Sequence, residues 1–270
     1  MKCNFALRMA AVTLVVALTI NCQPALAAAP APKPAVKELT PQEASAKEVD
    51  PGLDIAGAKE PAGFQRLQKT GNVWWDTKGN RVVMVGEICL REGQLEMFAC
   101  LKGTKEHEAI VAVPSKAMDI HAALLACKAE AGSPAKFIPK YEPARGTRID
   151  VTVFWTDKNG KRHQAPAQDW IINTRTDKPM TEYWVFGGSG FYEDEETGRR
   201  YYKAEDGDFV CISNFTTAML DLPIESSQSN EALLFKANTD AIPPIGTKLT
   251  LVLTPRVEGK KATDKTSAPK

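Results

Sequence analysis

The sequence lacks the short motifs by which several large classes of protein are recognised. It contains no phosphate-binding glycine loop, no dinucleotide-binding glycine fingerprint and no Cys-x-x-Cys pair. These absences argue against nucleotide-binding, zinc-ribbon and iron–sulfur proteins. Only three histidines are present, so few side chains are available for a histidine-based metal site or acid–base centre.

The chain also lacks an excess of charge of one sign. It has 34 Lys and Arg residues and 33 Asp and Glu residues, a formal net charge of +1. Residues 1–27 hold two basic residues and no acidic one, so the remainder has a net charge of −1. A nearly neutral chain gives no electrostatic reason to expect nucleic acid or an anionic membrane as a partner.

The N-terminus has the layout of an export signal. Lys2 and Arg8 make it positive, residues 9–20 are apolar, and Ala25-Leu26-Ala27 is a small-x-small cleavage site. We therefore predict cleavage after Ala27 and export to the periplasm or the outside. The apolar run is too short to cross a bilayer of about 30 Å. No later segment is apolar enough, so no integral membrane span is expected after signal removal.

Composition divides the rest of the chain into three parts. Residues 28–62 are rich in Ala, Pro, Lys and Glu, which predicts a flexible spacer. Residues 63–255 are expected to form a single globular domain, since roughly 190 residues can bury one substantial core. Residues 256–270 are typical of a disordered basic tail.

Strand patterns dominate the predicted globular domain. Residues 80–90 and 95–101 predict a hairpin around Glu92-Gly93, and residues 149–155 alternate apolar and polar side chains. Helix is scarce: one amphipathic helix is predicted over about 115–131, and a second short helix over 216–222. These elements predict an α+β domain, mainly antiparallel β, with the principal helix packed on the sheet.

Four cysteines remain after the predicted cleavage: Cys89, Cys100, Cys127 and Cys211. An even number in an exported protein permits disulfides, with three possible pairings. In the predicted hairpin, Cys100 would lie about 13 Å beyond the position that faces Cys89. A disulfide needs Cα atoms within about 7 Å. Buried, free cysteines are therefore favoured, and the pairing stays open.

Two of the histidines lie in a polar block that is the natural place for a metal site. His107 and Glu108 precede an apolar strand, and His121 lies on the predicted helix. A catalytic zinc commonly takes three such ligands and a water, so the block allows a divalent metal. However, the helical His-Glu-x-x-His spacing is absent, and adjacent strand residues point to opposite faces. The alternative is two partly buried histidines that are hydrogen-bonded to backbone or carboxylate groups.

Three other segments invite a functional interpretation. Gly187-Gly188-Ser189-Gly190-Phe191 resembles a nucleophile elbow but lacks the final glycine, so a turn is favoured. The acidic runs 193–196 and 205–208 lack the ligand spacing of a calcium loop and are expected to be solvated hairpin loops. Aromatic residues are concentrated in the second half of the chain, where exposed rings can stack on a carbohydrate or peptide.

Several blocks of sequence together resemble the YdjY-domain family of bacterial proteins and span about residues 80–255. They are Gly93-Gln94-Leu95-Glu96, Phe98-Ala99-Cys100, Lys105-Glu106-His107-Glu108, Ile120-His121-Ala122-Ala123-Leu124, Asp169-Trp170, Trp184-Val185-Phe186-Gly187-Gly188-Ser189, Val210-Cys211-Ile212-Ser213-Asn214-Phe215 and Ile242-Pro243-Pro244-Ile245-Gly246-Thr247. The family is uncharacterised, and some relatives are described as ferredoxin-like. The cysteines here lack the tight spacing of iron–sulfur ligands, so no such cluster is expected. If the family shares a site, its polar positions here are Glu96, His107, Glu108, His121, Asp169, Ser189 and Asn214.

Three functions follow as expectations. The first is an exported domain that serves as a non-catalytic binding or structural module of the cell envelope, with a carbohydrate or protein ligand. The alternative is a metal-dependent, hydrolase-like enzyme that uses His107, Glu108 and His121. The third is a redox protein, which would show a chromophore or a reactive thiol.

Overall fold

The computed structural model of the chain describes residues 63–68, 71–226 and 233–257. The predicted signal peptide with its cleavage site after Ala27, the predicted spacer and nearly all of the predicted tail lie outside the described residues. Within the described part, no helix is both long enough and apolar enough to cross a membrane.

The described residues form eighteen strands, one α-helix and two 3₁₀ helices. The strands are β1 (Phe64–Arg66), β2 (Val73–Asp76), β3 (Arg81–Ile88), β4 (Met97–Leu101), β5 (Ala109–Val113), β6 (Ala131–Ser133), β7 (Arg145–Gly146), β8 (Arg148–Thr156), β9 (Arg162–Pro166), β10 (Ile171–Asn173), β11 (Lys178–Pro179), β12 (Trp184–Phe186), β13 (Phe191–Glu193), β14 (Arg200–Tyr202), β15 (Val210–Cys211), β16 (Leu220–Asp221), β17 (Phe235–Ala237) and β18 (Lys248–Pro255). The helices are α1 (Ala117–Ala126) and the 3₁₀ helices Ala167–Trp170 and Lys203–Asp206.

Eight of the strands close into a β-barrel. Their order around the barrel is β3-β18-β8-β12-β16-β15-β4-β5, and the ring closes because Glu87 and Ile88 at the end of β3 pair with β5. Neighbouring strands are antiparallel except β4 with β5 and β15 with β16, which are parallel. β1 and β2 extend the sheet beside β3, and β9 extends it beside β8. Closure pairs strands that would otherwise be edges.

Alternating side chains fill the main core. Successive residues of a strand point to opposite faces, so every second side chain of β8 and β18 lies on the same side of the sheet. The fully or almost fully buried members of this set are Ile149, Val151, Val153, Leu249, Leu251 and Leu253. Large rings join the same core: Phe98 lies 6.0 Å from Trp184 and 6.2 Å from Trp170, measured between ring centres.

Helix α1 is shorter than the predicted 115–131, and its N-cap is Lys116. Its buried residues, Ala117, Ile120, Ala123 and Leu124, are spaced three or four residues apart on one helical face and join the main core. The carboxylate of Glu205 accepts hydrogen bonds from the amides of Ala117, at 3.1 Å, and Met118, at 3.0 Å. An acidic side chain here satisfies amides that a helix leaves without partners and interacts favourably with the helix dipole.

Replacing Glu205 with alanine is expected to lower the free energy of unfolding by about 1–2 kcal/mol, because two helix-terminal amides lose their acceptor. Glu205→Gln keeps one acceptor oxygen, so its free energy of unfolding is expected to fall by less than that of Glu205→Ala. Urea denaturation at neutral pH measures both values. The matched control Glu195→Ala changes an exposed glutamate and is expected to shift the free energy by less than about 0.5 kcal/mol. Equal losses in Glu205→Ala and Glu195→Ala would contradict this capping role.

The expected α+β fold, with the principal helix packed on a sheet, is wrong. The domain is mainly β, and its central sheet closes on itself as a barrel. The predicted hairpin around Glu92-Gly93 does not form, because β5 lies between β3 and β4. Distant segments bind the backbone there instead: the Leu95 amide donates to the Phe235 carbonyl oxygen at 3.0 Å. Residues 216–222 are not helical, and they include strand β16.

The four cysteines of the described chain are free; Cys89 is half-buried and the others are buried. The hairpin register that placed Cys89 far from Cys100 does not apply. Both side chains pack in one apolar cluster beside β5. The hydrogen bond between the two thiols is the main cause that raises the pKa of Cys89, and burial is the second cause. The same bond lowers the pKa of Cys100. Burial raises the pKa of Cys127 to about 12 and that of Cys211 well above its usual value, so both thiols are held protonated.

Candidate functional site

The seven polar residues that the sequence singles out fall into separate places in the fold. Three lie at a carboxylate cluster beside β4 and β5, one lies in a buried network next to it, and two meet at the ring of Tyr202. Asp169 stands apart in the 3₁₀ helix Ala167–Trp170. Burial raises the pKa of Asp169, and its backbone oxygen accepts a hydrogen bond from Asn238 at 2.7 Å.

Glu96 and Glu108 are brought together by the parallel pairing of β4 and β5. Each glutamate immediately precedes its strand, so both lie at the same end of the strand pair. The backbone amide of Glu96 donates to the carbonyl oxygen of Glu108 at 3.2 Å. Burial is the main cause that raises the pKa of Glu96, and the charge and hydrogen bond of Glu108 raise it further. Burial and the neighbouring carboxylate therefore favour the neutral form of Glu96.

Lys105 is the cation of this carboxylate cluster. Its Nζ atom lies 2.8 Å from Asp208 Oδ1 and 3.7 Å from Glu108 Oε1. It also lies 4.8 Å from the centre of the Phe215 ring. Burial acts to lower the pKa of Lys105, but the hydrogen bond to Asp208 and the carboxylate charges raise it overall. Asp208 is only 5% exposed, so its charge needs this partner.

Asn214 belongs to a buried network next to the cluster. Its Nδ2 donates to Asp221 Oδ1 at 3.0 Å, and its Oδ1 accepts from the hydroxyl of Tyr141 at 3.0 Å and from the amide of Ser226 at 2.7 Å. Asp221 is fully buried, and its Oδ2 has no hydrogen-bond partner in the described part of the chain. Burial raises the pKa of Asp221 to about 7, against the lowering effect of Asn214.

His121 and Ser189 meet at Tyr202. The Tyr202 hydroxyl lies 2.8 Å from His121 Nδ1 and donates to the carbonyl oxygen of Gly188 at 3.0 Å. Because a tyrosine hydroxyl has a single proton, we assign the Nδ1 proton to His121, which donates to Tyr202. Burial lowers the pKa of His121, so the imidazole is neutral with its lone pair on Nε2.

Ser189 has the backbone of a turn residue, with φ at 54°. Its Oγ donates to the carbonyl oxygen of Thr217 at 2.6 Å. The nearby histidine is bound to Tyr202 and not to the serine hydroxyl. The geometry therefore supports the interpretation of Gly187-Gly188-Ser189-Gly190 as a turn, since a serine nucleophile needs a base within hydrogen-bond reach.

Thr217 and Asp208 join the two groups of polar residues. The Thr217 hydroxyl donates to Asp208 Oδ2, and the Thr217 carbonyl oxygen accepts from Ser189. Polar contacts therefore run from Glu96 to Ser189, and Gly188, the residue before Ser189, accepts from Tyr202, which binds His121. We call this set the polar row. Its members, in order, are Glu96, Glu108, Lys105, Asp208, Thr217, Ser189, Tyr202 and His121.

An open cleft of about 470 Å³ lies against the polar row. Its size is within the range of ligand-binding clefts, about 300–1,000 Å³. We call it the tyrosine cleft; its lining residues are Tyr192, Tyr201, Tyr202, Lys203, Glu205, Asp206 and Thr217. Tyr202 and Thr217 belong to both the cleft and the polar row. Tyr192 and Tyr201 are directly opposite each other on β13 and β14 and are 54% and 45% exposed.

The sequence model of the YdjY domain family matches residues 73–254, which include the whole polar row and the whole tyrosine cleft. This match covers more than half of the chain. The chain belongs to the YdjY domain family. The family expected from the sequence blocks is thereby confirmed. No curated protein and no solved structure matches the chain.

The YdjY domain gives the predicted metal ligands different neighbours. The side chain of His107 is 77% exposed, with Nε2 3.7 Å from Glu108 Oε2, whereas His121 is half-buried against Tyr202. Within residues 63–68, 71–226 and 233–257, no group of three or more His, Cys, Asp or Glu residues could hold a metal ion. A metal site of His107, Glu108 and His121 therefore stays a prediction, and the positions of these three side chains give it no support.

Sequence reasoning missed the residues that connect the polar groups of this YdjY domain. The run 205–208, expected to be a solvated loop, instead places Glu205 on the N-terminus of α1 and buries Asp208. One signal was present for Asp208, which directly precedes the apolar run 209–212 and so shares its burial. Tyr202 and Thr217 carry no such signal, because no local pattern indicates their partners His121, Asp208 and Ser189.

Proposed function

We propose that this protein is an exported, non-catalytic binding module of the cell envelope and that it binds a saccharide in the tyrosine cleft. The export part rests on the signal-like N-terminus. The binding part rests on the cleft and on the chemistry of the side chains that line it. The non-catalytic part rests on how the polar row uses its reactive groups.

The observation that carries the proposal is the exposed pair Tyr192 and Tyr201. Residues directly opposite on two antiparallel strands project from the same face, so both side chains lie on one face of the hairpin, and both line the cleft. The guanidinium of Arg199 lies 5.0 Å from the centre of the Tyr201 ring, which restricts the position of that ring. A pyranose offers a face of C–H groups that packs on such rings, while each tyrosine keeps a polar hydroxyl.

Polar side chains that suit sugar hydroxyls line the same cleft. Glu205 already accepts from the amides of α1, and the Thr217 hydroxyl already donates to Asp208. Among the described lining residues, this leaves the carboxylate of Asp206 and the ammonium of Lys203 to bind a ligand. An acceptor and a donor beside a stacking face are the mixture that orients a ligand with several hydroxyls.

A second cleft beside β17 fits a saccharide less well. Its volume is about 540 Å³. Its lining has no aromatic ring; the residues are Gly93, Gln94, Ile172, Asp177, Lys236, Ala237, Asn238, Thr239 and Asp240. Without a ring, this cleft offers no flat apolar surface for a sugar face.

The reactive groups near the tyrosine cleft are occupied. Ser189 donates to a carbonyl oxygen, Asp208 is paired with Lys105, and Cys211 is fully buried with a raised pKa. A serine or cysteine nucleophile needs an adjacent base or a lowered pKa, whereas the Ser189 hydroxyl binds a carbonyl oxygen and burial raises the pKa of Cys211. This arrangement supports binding rather than covalent catalysis.

Titration calorimetry with chitotriose, and with maltotriose for comparison, tests the proposal. Tyr192→Ala and Tyr201→Ala are each expected to weaken saccharide binding by about tenfold or more, since each removes a stacking face. The matched control is Tyr183→Ala, which removes a 39% exposed tyrosine that stacks on Arg148 outside the cleft. This control is expected to bind within about twofold of the unmodified protein.

Two results would overturn the proposal. If Tyr192→Ala and Tyr201→Ala bind every saccharide as the unmodified protein does, or if an array of envelope glycans yields no ligand, the tyrosine cleft is not a saccharide site. If the protein hydrolyses a substrate and Glu108→Gln abolishes turnover without unfolding it, the module is catalytic.

A further inference from the structure

The loop between β6 and β7 holds two large apolar side chains in solvent. Ile138 is 88% exposed, the largest fraction among the large apolar side chains that the structure describes, and Phe137 is 41% exposed. The five residues 136–140 are all exposed, so this segment projects from the surface. We call Phe137, Ile138 and Pro139 the apolar tip. A single exposed apolar residue needs no explanation, but an apolar tip at the end of a braced loop does.

The loop that carries the apolar tip is braced at its base. Lys136 and Glu142 exchange two backbone hydrogen bonds, at 3.0 Å and 2.8 Å. The rings of Phe137 and Tyr141 lie 5.8 Å apart. The Tyr141 hydroxyl reaches the buried Asn214, which ties the loop to the interior of the domain. A braced loop has little conformational entropy to lose on binding.

The two residues that flank the apolar tip in sequence are both cations. Lys136 and Lys140 are exposed on either side of it. The acidic residue of the loop, Glu142, lies 4.0 Å from Arg145, which offsets its charge. The net charge of the whole chain is close to zero, so the protein as a whole has no general attraction to anions. This loop differs locally, because two lysines flank an apolar segment.

We propose that the apolar tip is a membrane-contact site, at which Phe137 and Ile138 enter the interface of a bilayer with anionic headgroups and the two lysines contact the headgroup phosphates. Apolar side chains flanked by cations match the acyl boundary and the phosphates of such a surface. A protein partner fits less well. Two projecting side chains offer far less than the roughly 800 Å² per partner of a stable protein interface.

Co-sedimentation of the full chain with vesicles tests this site. The vesicles are phosphatidylethanolamine with phosphatidylglycerol, and pure phosphatidylcholine for comparison. Ile138→Asp is expected to lower the partition coefficient on anionic vesicles by about tenfold or more. The matched control Ile245→Asp changes a 67% exposed isoleucine in another loop and is expected to leave partitioning within about twofold.

The lysines provide a second arm that separates charge from apolar insertion. Lys136→Ser/Lys140→Ser is expected to lower partitioning on anionic vesicles by about fivefold for each lysine and to change little on phosphatidylcholine. The control is Lys158→Ser/Lys161→Ser, in which both lysines lie in an exposed turn. This pair removes the same two positive charges as Lys136→Ser/Lys140→Ser. Equal losses in the two pairs, or binding of Ile138→Asp as tight as that of the unmodified protein, would overturn the site. Retention by purified envelope proteins but not by protein-free vesicles would also overturn it, in favour of a protein partner.

Discussion

Replacing Trp184 with alanine is expected to lower the free energy of unfolding by about 3–5 kcal/mol, a large share of the 5–15 kcal/mol that is typical of a domain. Trp184 is fully buried at the start of β12 and packs beside Phe98. Its Nε1 donates to the carbonyl oxygen of Cys211 on β15 at 2.8 Å. The change therefore opens a cavity in the barrel and leaves a buried carbonyl oxygen without its donor.

Urea denaturation followed by circular dichroism measures this loss. Trp184→Phe keeps most of the ring and is expected to lose less than the alanine variant, although the hydrogen bond to Cys211 is still lost. The neighbouring control Tyr183→Ala changes a 39% exposed side chain and is expected to cost less than about 1 kcal/mol. A similar cost for Trp184→Ala and Tyr183→Ala would show that the barrel core is not built around Trp184.

Replacing Asp221 with asparagine is expected to stabilise the protein at pH 8 by about 2–4 kcal/mol and to change its stability little at pH 4. An aspartate in an unfolded chain has a pKa of about 3.9, whereas burial raises that of Asp221 to about 7. As the pH rises from 4 to 7, the unfolded chain releases this proton first, so the folded state loses stability across that window. The neutral asparagine does not ionise, and its amide oxygen can still accept from Asn214.

The pH dependence of the unfolding free energy, measured by urea denaturation from pH 4 to pH 8, tests this expectation. The curve of Asp221→Asn is expected to fall less steeply than that of the unmodified protein. Asp177→Asn is the control, because this aspartate is 82% exposed and pairs with the surface Lys236; its curve is expected to follow the unmodified one. Parallel curves for Asp221→Asn and the unmodified protein would mean that the buried carboxyl does not titrate in this range.

Features that depend on local periodicity could be predicted from the sequence. β8 alternates as its pattern of Ile149, Val151 and Val153 predicts, and α1 buries the residues that lie on one helical face. In both cases the signal is contained in a window of about ten residues, because side-chain direction follows directly from the period of the element. The family could also be predicted, since its sequence blocks are distributed over the whole domain.

The barrel could not be predicted in the same way, because it depends on pairings between distant strands. β4 and β5 are parallel although only residues 102–108 connect them. Parallel neighbours usually need a connection of a dozen or more residues, so the short connection gave no reason to expect this pairing. The turn residues Glu92-Gly93 favoured a hairpin between β3 and β4 instead. Closure then depends on two residue pairs, Glu87–Ala112 and Ile88–Val111, which no local pattern indicates.

The candidate site was predictable only in part. The family resemblance selected Glu96, Glu108, His121 and Ser189, all of which the polar row contains. Two members link these groups: Asp208, whose burial the adjacent apolar run 209–212 could have indicated, and Thr217, which became visible only through its contacts. The exposed tyrosines were expected as a class, but their pairing follows from the β13–β14 register.

The most direct test of the binding function is a two-dimensional amide NMR spectrum of the ¹⁵N-labelled protein during a titration with chitotriose. Binding in the tyrosine cleft predicts that the perturbed amides belong to residues 190–206 and to Thr217, which line or support the cleft. Perturbations centred on Lys236 and Asn238 of the second cleft would contradict it. No perturbation by millimolar chitotriose, maltotriose or any glycan that the array identifies would contradict it as well.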